Sequence, residues 1–207
     1  DSTGKVFTLP TGDTVTITPT PAGVKYVADT AANNNTFDYV LTNAGQYSSV
    51  STTYGTLSIT KAPLTITADS NSKEYDGTPL TDDGWQDTAP VGLKGTDAVD
   101  SVTVTGTITN VGTAPNVPSA AVVKNGNTDV TANYEIEYVN GTLEITQNTK
   151  AVVITSSTKS WEYDGRLHTD EVYTVTYDGE TVTADSTGKV FTLPTGDTVT
   201  ITATAEG

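Results

Sequence analysis

The tetrapeptide Glu-Tyr-Asp-Gly occurs twice in this sequence, at residues 74–77 and 162–165. A tyrosine ring beside a carboxylate has binding chemistry, because the ring can stack on a ligand while the carboxylate accepts hydrogen bonds. The structural alternative is a core or half-buried Tyr75 or Tyr163 followed by a turn. In such a turn the aspartate accepts a hydrogen bond from the backbone two residues on, and the glycine takes a positive φ. The turn is favoured, since no other residues converge on the motif.

The two tryptophans, Trp85 and Trp161, are the other candidate ligand-binding residues beside Tyr75 and Tyr163. Exposed aromatic rings offer flat apolar surfaces on which a sugar ring can stack. A carbohydrate- or mucin-binding module is therefore the alternative function, and it requires that these rings are exposed to solvent.

Catalysis by the usual nucleophile or zinc constellations is not expected. The sequence has no cysteine and a single histidine, His168, so these constellations cannot be assembled. Four carboxylates that could bind Ca²⁺ at a junction between modules are those of Asp82, Asp83, Asp97 and Asp100. None of them belongs to an alternating D-x-D-x-D-G loop. We predict that the protein is not an enzyme and needs no cofactor, with Ca²⁺ as the one ion to consider.

The charge balance limits the kinds of partner. Ten basic residues stand against 25 acidic ones, which gives a formal net charge of −15. Such a surface repels phosphate backbones and anionic lipid headgroups, so nucleic acid is excluded as a partner. The sequence contains no apolar stretch of about 18 residues, and we expect no membrane insertion of this fragment. The charge is best explained by solubility.

Short strands are the elements that must position these residues. Threonine and other β-branched residues are abundant, and 18 glycines and nine prolines supply the turns. Only 35% of residues are hydrophobic, which predicts thin cores. We therefore expect an all-β protein made of small β-sandwich (Ig-like) or β-grasp-like modules arranged end to end.

Alternating hydrophobicity places several of these strands. Residues 13–18 and 101–109 alternate apolar side chains with threonine, which predicts half-buried strands. GTLSIT at 55–60 and GTLEIT at 141–146 each predict a closing core strand. VKYVA at 24–28 also reads as strand-like. No segment has a helical period, so helix is limited to single turns.

Turn signals separate these strands. Asn125-Gly126 predicts a β-hairpin, and Asp178-Gly179 predicts a second one. LPTG at 9–12 and 193–196 is interpreted as a Pro-Thr-Gly turn. It lacks the spacer residue of an LPxTG sorting signal and is followed by a strand.

The sequence repeats its own beginning. Residues 1–18 and 185–202 are identical, which gives a period of 184 residues and predicts a piece of a tandem array. We expect residues 1–60 to be the C-terminal part of one module, 61–148 a complete module, and 149–207 the N-terminal part of the next copy of the first type. Each partial module should expose strand edges and an apolar face, which favours head-to-tail self-association between molecules.

Several motifs of the complete module occur together: KEYDGTPLT, GLKGTD, GTITNVGT and NYEIEYVNGTLEIT. In this combination the chain resembles the MBG and YDG-type repeat domains of large bacterial cell-surface adhesins. The resemblance implies an extracellular location on the bacterial cell surface, with the anchor outside this fragment. It further implies a structural stalk or spacer whose partners are neighbouring modules of the same protein, with host glycan or mucin as a further partner.

Overall fold

The computed structural model of the chain describes residues 4–87 and 90–202. Within these residues helix is limited to three 3₁₀ turns, at Val27–Asp29, Ala44–Gln46 and Thr131–Asn133. The strands are β1 Lys5–Thr8, β2 Thr14–Pro19, β3 Phe37–Leu41, β4 Ala62–Thr67, β5 Asn71–Glu74, β6 Ala98–Thr105, β7 Gly112–Asn125, β8 Thr128–Asp129, β9 Tyr134–Val139, β10 Gly141–Thr146, β11 Val152–Ser156, β12 Tyr173–Tyr177, β13 Glu180–Val182, β14 Val190–Thr192 and β15 Thr198–Thr200. The predicted all-β class is confirmed.

The strands form several small sheets. The largest has the order β5-β10-β7-β6, with β8 paired to β7. In it β10 runs parallel to β5 and antiparallel to β7. The remaining sheets have the orders β1-β2-β3, β11-β12-β13, β14-β15 and β4-β9. The register of β10 on β5 is fixed by pairs that run from Leu143 opposite Asn71 to Thr146 opposite Glu74.

The chain divides into two compact units, each assembled from separate stretches of sequence. Unit 1 comprises Asp1–Ile66, Asp87–Val102 and Ala120–Glu137. Unit 2 comprises Thr67–Gln86, Thr103–Ser119 and Tyr138–Gly207. This division follows spatial compactness, whereas the module boundaries after residues 60 and 148 follow sequence repetition. Those boundaries stay a prediction.

Unit 1 combines an open sheet with a small core. In the sheet β1-β2-β3, Val15 of β2 pairs with Phe7 on one side and Leu41 on the other. Apolar side chains of this sheet remain uncovered, since Phe7 is 52% and Val40 68% exposed. These two side chains lie on opposite faces of the sheet, since Phe7 is in register with Val15 and Val40 with Thr16, and the apolar face expected of a partial module stays a prediction. The buried core residues of unit 1 are Leu64, Ile66, Ala121, Val123, Val130 and Tyr134.

Unit 2 is organised around β10. Leu143 and Ile145 of this strand form a buried cluster with Leu80, and Tyr75 and Ile108 pack against it. A second set of buried side chains comes from the C-terminal part of the chain: Val175, Tyr177 and Phe191. Strand β11 is uncovered, with Val152, Val153 and Ile154 each 43–52% exposed. Residues 149–207 thus expose apolar side chains on β11.

Several predicted elements are confirmed. Most of residues 13–18 lie in β2, and the predicted closing strand GTLEIT at 141–146 forms β10. The Asn125-Gly126 hairpin joins β7 to β8. Asp178 and Gly179 have φ of 56° and 85° between β12 and β13, as a tight two-residue hairpin requires.

Two predicted strands are wrong. Residues 24–28 contain a 3₁₀ turn, because the carboxylate of Asp29 accepts hydrogen bonds from the backbone N–H groups of Lys25 and Tyr26 at 2.8 and 2.7 Å. Residues 55–60 form no ladder with another strand. Their backbone bonds to side chains instead: the amide of Asn34 accepts from Leu57 N–H at 2.6 Å and donates to Leu57 C=O at 2.9 Å.

The first part of β7, residues 112–120, was not expected, because prolines interrupt its sequence. Pro115 and Pro118 each lack a backbone donor, yet the strand runs on because Gly112–Asn116 pairs with β10. Ala120 has a φ of 50°, a left-handed conformation that non-glycine residues rarely adopt. The long strand is therefore irregular at this point.

Candidate functional site

The first Glu-Tyr-Asp-Gly segment forms the turn that its sequence predicts. Oδ1 of Asp76 accepts the N–H of Thr78 at 2.8 Å, and Gly77 has a φ of 82°. Lys73 donates to the same oxygen at 2.7 Å. The hydrogen bond from Lys73 has the largest effect on the pKa of Asp76, and the hydrogen bonds from Thr78 add to it. Together they hold this pKa well below its usual range. The carboxylate is thus committed to stabilising the turn.

The second Glu-Tyr-Asp-Gly segment has the same local conformation. Oδ1 of Asp164 accepts the N–H of Arg166 at 2.9 Å, and Gly165 has a φ of 75°. The predicted turn is therefore confirmed in both copies, and differences between the copies arise from their surroundings.

In the first copy, Glu-Tyr-Asp-Gly at 74–77 is in contact with a second turn of the chain, at residues 193–197. Tyr75 is half-buried against the core cluster, and its hydroxyl donates to Oδ1 of Asp197 at 3.2 Å. A Cβ built on Gly77 would lie 1.7 Å from the carbonyl oxygen of Thr195. Only a glycine permits this approach. Residues 193–197, which we call the LPTGD turn, therefore sit directly on the first Glu-Tyr-Asp-Gly segment.

Further hydrogen bonds tie the segment to the chain that follows β10. Asn148 donates through Nδ2 to the carbonyl of Tyr75 and to the hydroxyl of Tyr177, both at 2.7 Å. Oε1 of Glu74 accepts from the backbone N–H of Thr149, and from its hydroxyl at 2.8 Å. These two bonds lower the pKa of Glu74. Glu74 and Tyr75 thus form hydrogen bonds with the segments at 148–149 and 193–197, and Gly77 lies against Thr195.

In the second copy the motif is uncovered. Tyr163 is 98% exposed, so the expectation of a core or half-buried ring is wrong for this copy. Trp161 is 49% exposed and stacks on His168, with ring centroids 5.0 Å apart. His168 Nε2 lies 2.9 Å from Oδ1 of Asp164. The only histidine therefore supports the conformation of this loop.

The structure places the four candidate ligand-binding residues in different surroundings. Tyr75 lies under the LPTGD turn, whereas Trp161 and Tyr163 share one exposed loop. Trp85 is half-buried, and its backbone forms a single β-bridge with Ala68. An exposed pair of aromatic residues is thus found at 161 and 163, and Tyr75 is already occupied by contacts within the chain.

The LPTG segments are turns in both copies. The N–H of Gly12 donates to the carbonyl of Leu9, and the N–H of Gly196 to that of Leu193, both at 2.9 Å. The two glycines have φ of 89° and 85°. Identical sequence gives an identical turn, each ending at an aspartate that directly precedes a strand.

Sequence reasoning missed a carboxylate arrangement that occurs twice in the described residues. Asp13 accepts a hydrogen bond from Asn43 Nδ2 and one from Tyr47 OH, both at 2.7 Å. Asp97 accepts from Asn125 Nδ2 at 2.6 Å and from Tyr134 OH at 2.7 Å. Each tyrosine directly follows a 3₁₀ turn. The signal was present in the sequence as a Leu-x-x-x-Asp turn followed by Asn and Tyr, but it is too short to stand out from chance.

These hydrogen bonds favour the ionised carboxylates. Tyr47 and then Asn43 lower the pKa of Asp13. Asn125 and then Tyr134 lower the pKa of Asp97. Burial and the bond to Asp97 raise the pKa of Tyr134. Both aspartates are therefore charged hydrogen-bond acceptors at neutral pH.

No candidate metal centre is found in residues 4–87 and 90–202, where no three His, Cys, Asp or Glu side chains are grouped to hold an ion. The expectation about Ca²⁺ stays a prediction. In the same residues no helix has the length and apolar character needed to cross a bilayer. Comparison with protein-family models, with curated proteins and with solved structures finds no match.

Proposed function

We propose that this chain is a structural stalk or spacer segment of a bacterial cell-surface adhesin and performs no catalysis. One observation carries the proposal. The LPTGD turn, whose sequence is duplicated 184 residues earlier, sits on a Glu-Tyr-Asp-Gly segment that is itself duplicated. We call this contact between the LPTGD turn and the Glu-Tyr-Asp-Gly segment the joint. Because both segments recur along the chain, the joint can be repeated without new kinds of contact.

Repetition of one joint is an economical way to gain length. In repeat proteins the stability is a sum of unit and nearest-neighbour terms, so added modules need no new core. The small β-sandwich or β-grasp-like modules of this proposal would alternate between two types, each with its own Asp-Asn-Tyr arrangement. Their high negative charge keeps such an array soluble.

The location and partners belong to the same proposal. A bacterial cell-surface protein is supported by the resemblance of KEYDGTPLT and NYEIEYVNGTLEIT to the MBG and YDG-type repeats. The partners are neighbouring modules of the same protein, with self-association from head to tail as a consequence. Anchoring would be provided by other parts of the protein.

Small-angle X-ray scattering of chains with one, two and four periods tests this function. For a stalk, the maximum dimension should grow in proportion to the number of periods. A compact array would instead grow roughly as a folded globule does, with an exponent near 0.38 for the radius of gyration. Growth of that second kind would exclude the stalk.

Carbohydrate binding is the second candidate, and the exposed pair Trp161 and Tyr163 supports it. A glycan or mucin array probed with a multi-period chain provides the test. Binding that Trp161→Ala removes and that Trp85→Ala leaves unchanged would support the candidate, since Trp85 is half-buried elsewhere. An array without signal would remove it.

A further inference from the structure

We propose that a cavity beside Asp97 binds Tyr163 from a second copy of this chain, as Asp197 binds Tyr75 within one chain. The proposal rests on the proposed function, because it identifies the joint that the second module type would use. It names a tyrosine on one molecule and a carboxylate on the next.

Asp97 has the position in its module that Asp197 has in the other. Residues 93–97 read LKGTD and residues 193–197 read LPTGD. Asp97 directly precedes β6, and Asp197 directly precedes β15. Asp13 is identical in sequence context to Asp197, and it shares with Asp97 the hydrogen bonds from an asparagine and a tyrosine. The carboxylate that receives Tyr75 therefore has a structural counterpart at Asp97.

The counterpart lies beside an open cavity within unit 1. This cavity has a volume of about 480 Å³, and Tyr26, Ile59, Thr60, Lys94 and Asp97 are among the residues that line it. A cavity of roughly 150 Å³ already holds a benzene ring, so an aromatic side chain fits. Around Tyr75, where the equivalent joint is closed, the remaining space is about 220 Å³.

Tyr163 has the same local backbone conformation as Tyr75 and could therefore make the same contact. It precedes an Asp-Gly turn with the same backbone bond and nearly the same glycine φ, 75° against 82°. The space over Gly165 is open, because a Cβ there would meet only the hydroxyl of Tyr163, at 4.0 Å. Over Gly77 that space is filled by Thr195. The second segment therefore has the conformation of an occupied site without its occupant.

The chemistry of the cavity suits a phenol. Oδ1 and Oδ2 of Asp97 each accept one bond within the chain, and an ionised carboxylate offers about four acceptor positions. A tyrosine hydroxyl that donates to such a charged acceptor forms one of the stronger kinds of hydrogen bond. The apolar surface of Ile59 and the ring of Tyr26 supply the walls for the aromatic ring.

The contact is heterologous, since the tyrosine and the cavity are different surfaces. Each molecule therefore offers one free tyrosine and one free cavity, and association continues into open chains instead of stopping at a symmetric dimer.

Sedimentation velocity of the full 207-residue chain and two variants tests the contact. Tyr163→Ala removes the inserted ring from a fully exposed residue, and Thr60→Trp fills the mouth of the cavity from an exposed one. Each variant is expected to raise the dissociation constant for self-association at least about tenfold. Val111→Ala, which trims a different exposed apolar residue, should leave it unchanged. Thermal melts confirm that each variant is folded.

Mixing the two variants provides the decisive step. The Tyr163→Ala chain keeps its cavity and the Thr60→Trp chain keeps its tyrosine, so an equimolar mixture should form dimers that grow no further. An unchanged chain that stays monomeric at every concentration would overturn the proposal. So would variants that associate as strongly as the unchanged chain, or a mixture that stays monomeric.

This experiment and the scattering experiment can fail independently. Modules joined in one polypeptide can form a stalk even when separate molecules do not associate. Failure here therefore removes the Tyr163 contact, whereas compact growth with period number removes the stalk.

Discussion

Gly77 and Gly165 share a backbone conformation and differ in what covers them. Both have a positive φ, which other residues adopt only at a cost of roughly 1–2 kcal/mol. Only Gly77 has the backbone of Thr195 against it. The pair therefore separates the energetic effect of the turn from that of the joint.

Gly77→Ala should destabilise the chain more than Gly165→Ala. Both variants lose the conformational freedom of glycine, but a Cβ at 77 would also lie 1.7 Å from Thr195 O and must displace the LPTGD turn. Urea denaturation of the two variants measures the difference. Equal losses would mean that the turn does not rest on Gly77 in solution.

Asp97 should make the stability of unit 1 sensitive to acid. Its folded-state pKa lies below the ordinary value because Asn125 and Tyr134 donate to its ionised form. The contribution of Asp97 to stability is therefore complete above its unfolded-state pKa of about 4. It is lost as the pH falls through the lower pKa of the folded state. We expect Asp97→Asn to lower stability at pH 7 and to weaken its decline below about pH 5.

Denaturant unfolding at several pH values between neutral and strongly acidic measures this dependence. Asp38→Asn removes the same charge from an exposed position on β3 and serves as the control. If the two variants and the unchanged chain decline in parallel, the hydrogen bonds to Asp97 do not determine its ionisation.

Strand β10 is the central element of unit 2, since it pairs with β5 on one side and β7 on the other. Its alternate residues Leu143 and Ile145 are 0% and 1% exposed. Substitutions at these two positions therefore act on the cluster that they form with Leu80, against which Tyr75 and Ile108 pack.

Leu143→Ala should lower the free energy of unfolding by about 2–5 kcal/mol, the usual range for a truncated core leucine. Leu167→Ala is the matched control, because Leu167 is 90% exposed and its truncation should change stability by less than about 0.5 kcal/mol. Chemical denaturation gives both values. Similar losses in the two variants would contradict the assigned core.

The elements that the sequence predicted are those with local signals. Alternating Val15 and Ile17 revealed β2, and Asp178-Gly179 revealed its hairpin, because period and turn chemistry act within a few residues. The first part of β7 was missed because its pairing with β10 overrides the effect of Pro115. Residues 55–60 were assigned to a strand, but the side chain of Asn34 provides their hydrogen-bond partners. Hydrogen-bond partners that are distant in the sequence leave no periodic pattern in it.

The candidate site shows the same limit. The turn at Glu-Tyr-Asp-Gly was predictable in both copies from its own residues. The turn sequence does not reveal whether the tyrosine is covered. Tyr75 is covered because Asp197, about 120 residues away in the sequence, contacts its hydroxyl. The Asp-Asn-Tyr arrangements likewise join distant residues, and a single sequence gives no means to pair them.

At the scale of the whole molecule, exposed apolar side chains coexist with a formal charge of −15. Phe7, Val40 and Ile154 favour association, whereas like charge between molecules opposes it. In the proposed contact of Asp97 with Tyr163, hydrogen bonding and shape would add to apolar burial, which would favour this contact over unspecific clustering.

The parallel pairing of β5 with β10 also determines how these two strands respond to mechanical load. Tension applied at the start of β5 and at the end of β10 draws the two neighbouring strands in opposite directions. Because they are parallel, the ladder from Leu143–Asn71 to Thr146–Glu74 is loaded in shear, and its hydrogen bonds must yield together. The antiparallel pair β14-β15 can instead be peeled open one bond at a time. The β5-β10 pair therefore resists extension more strongly than the β14-β15 pair.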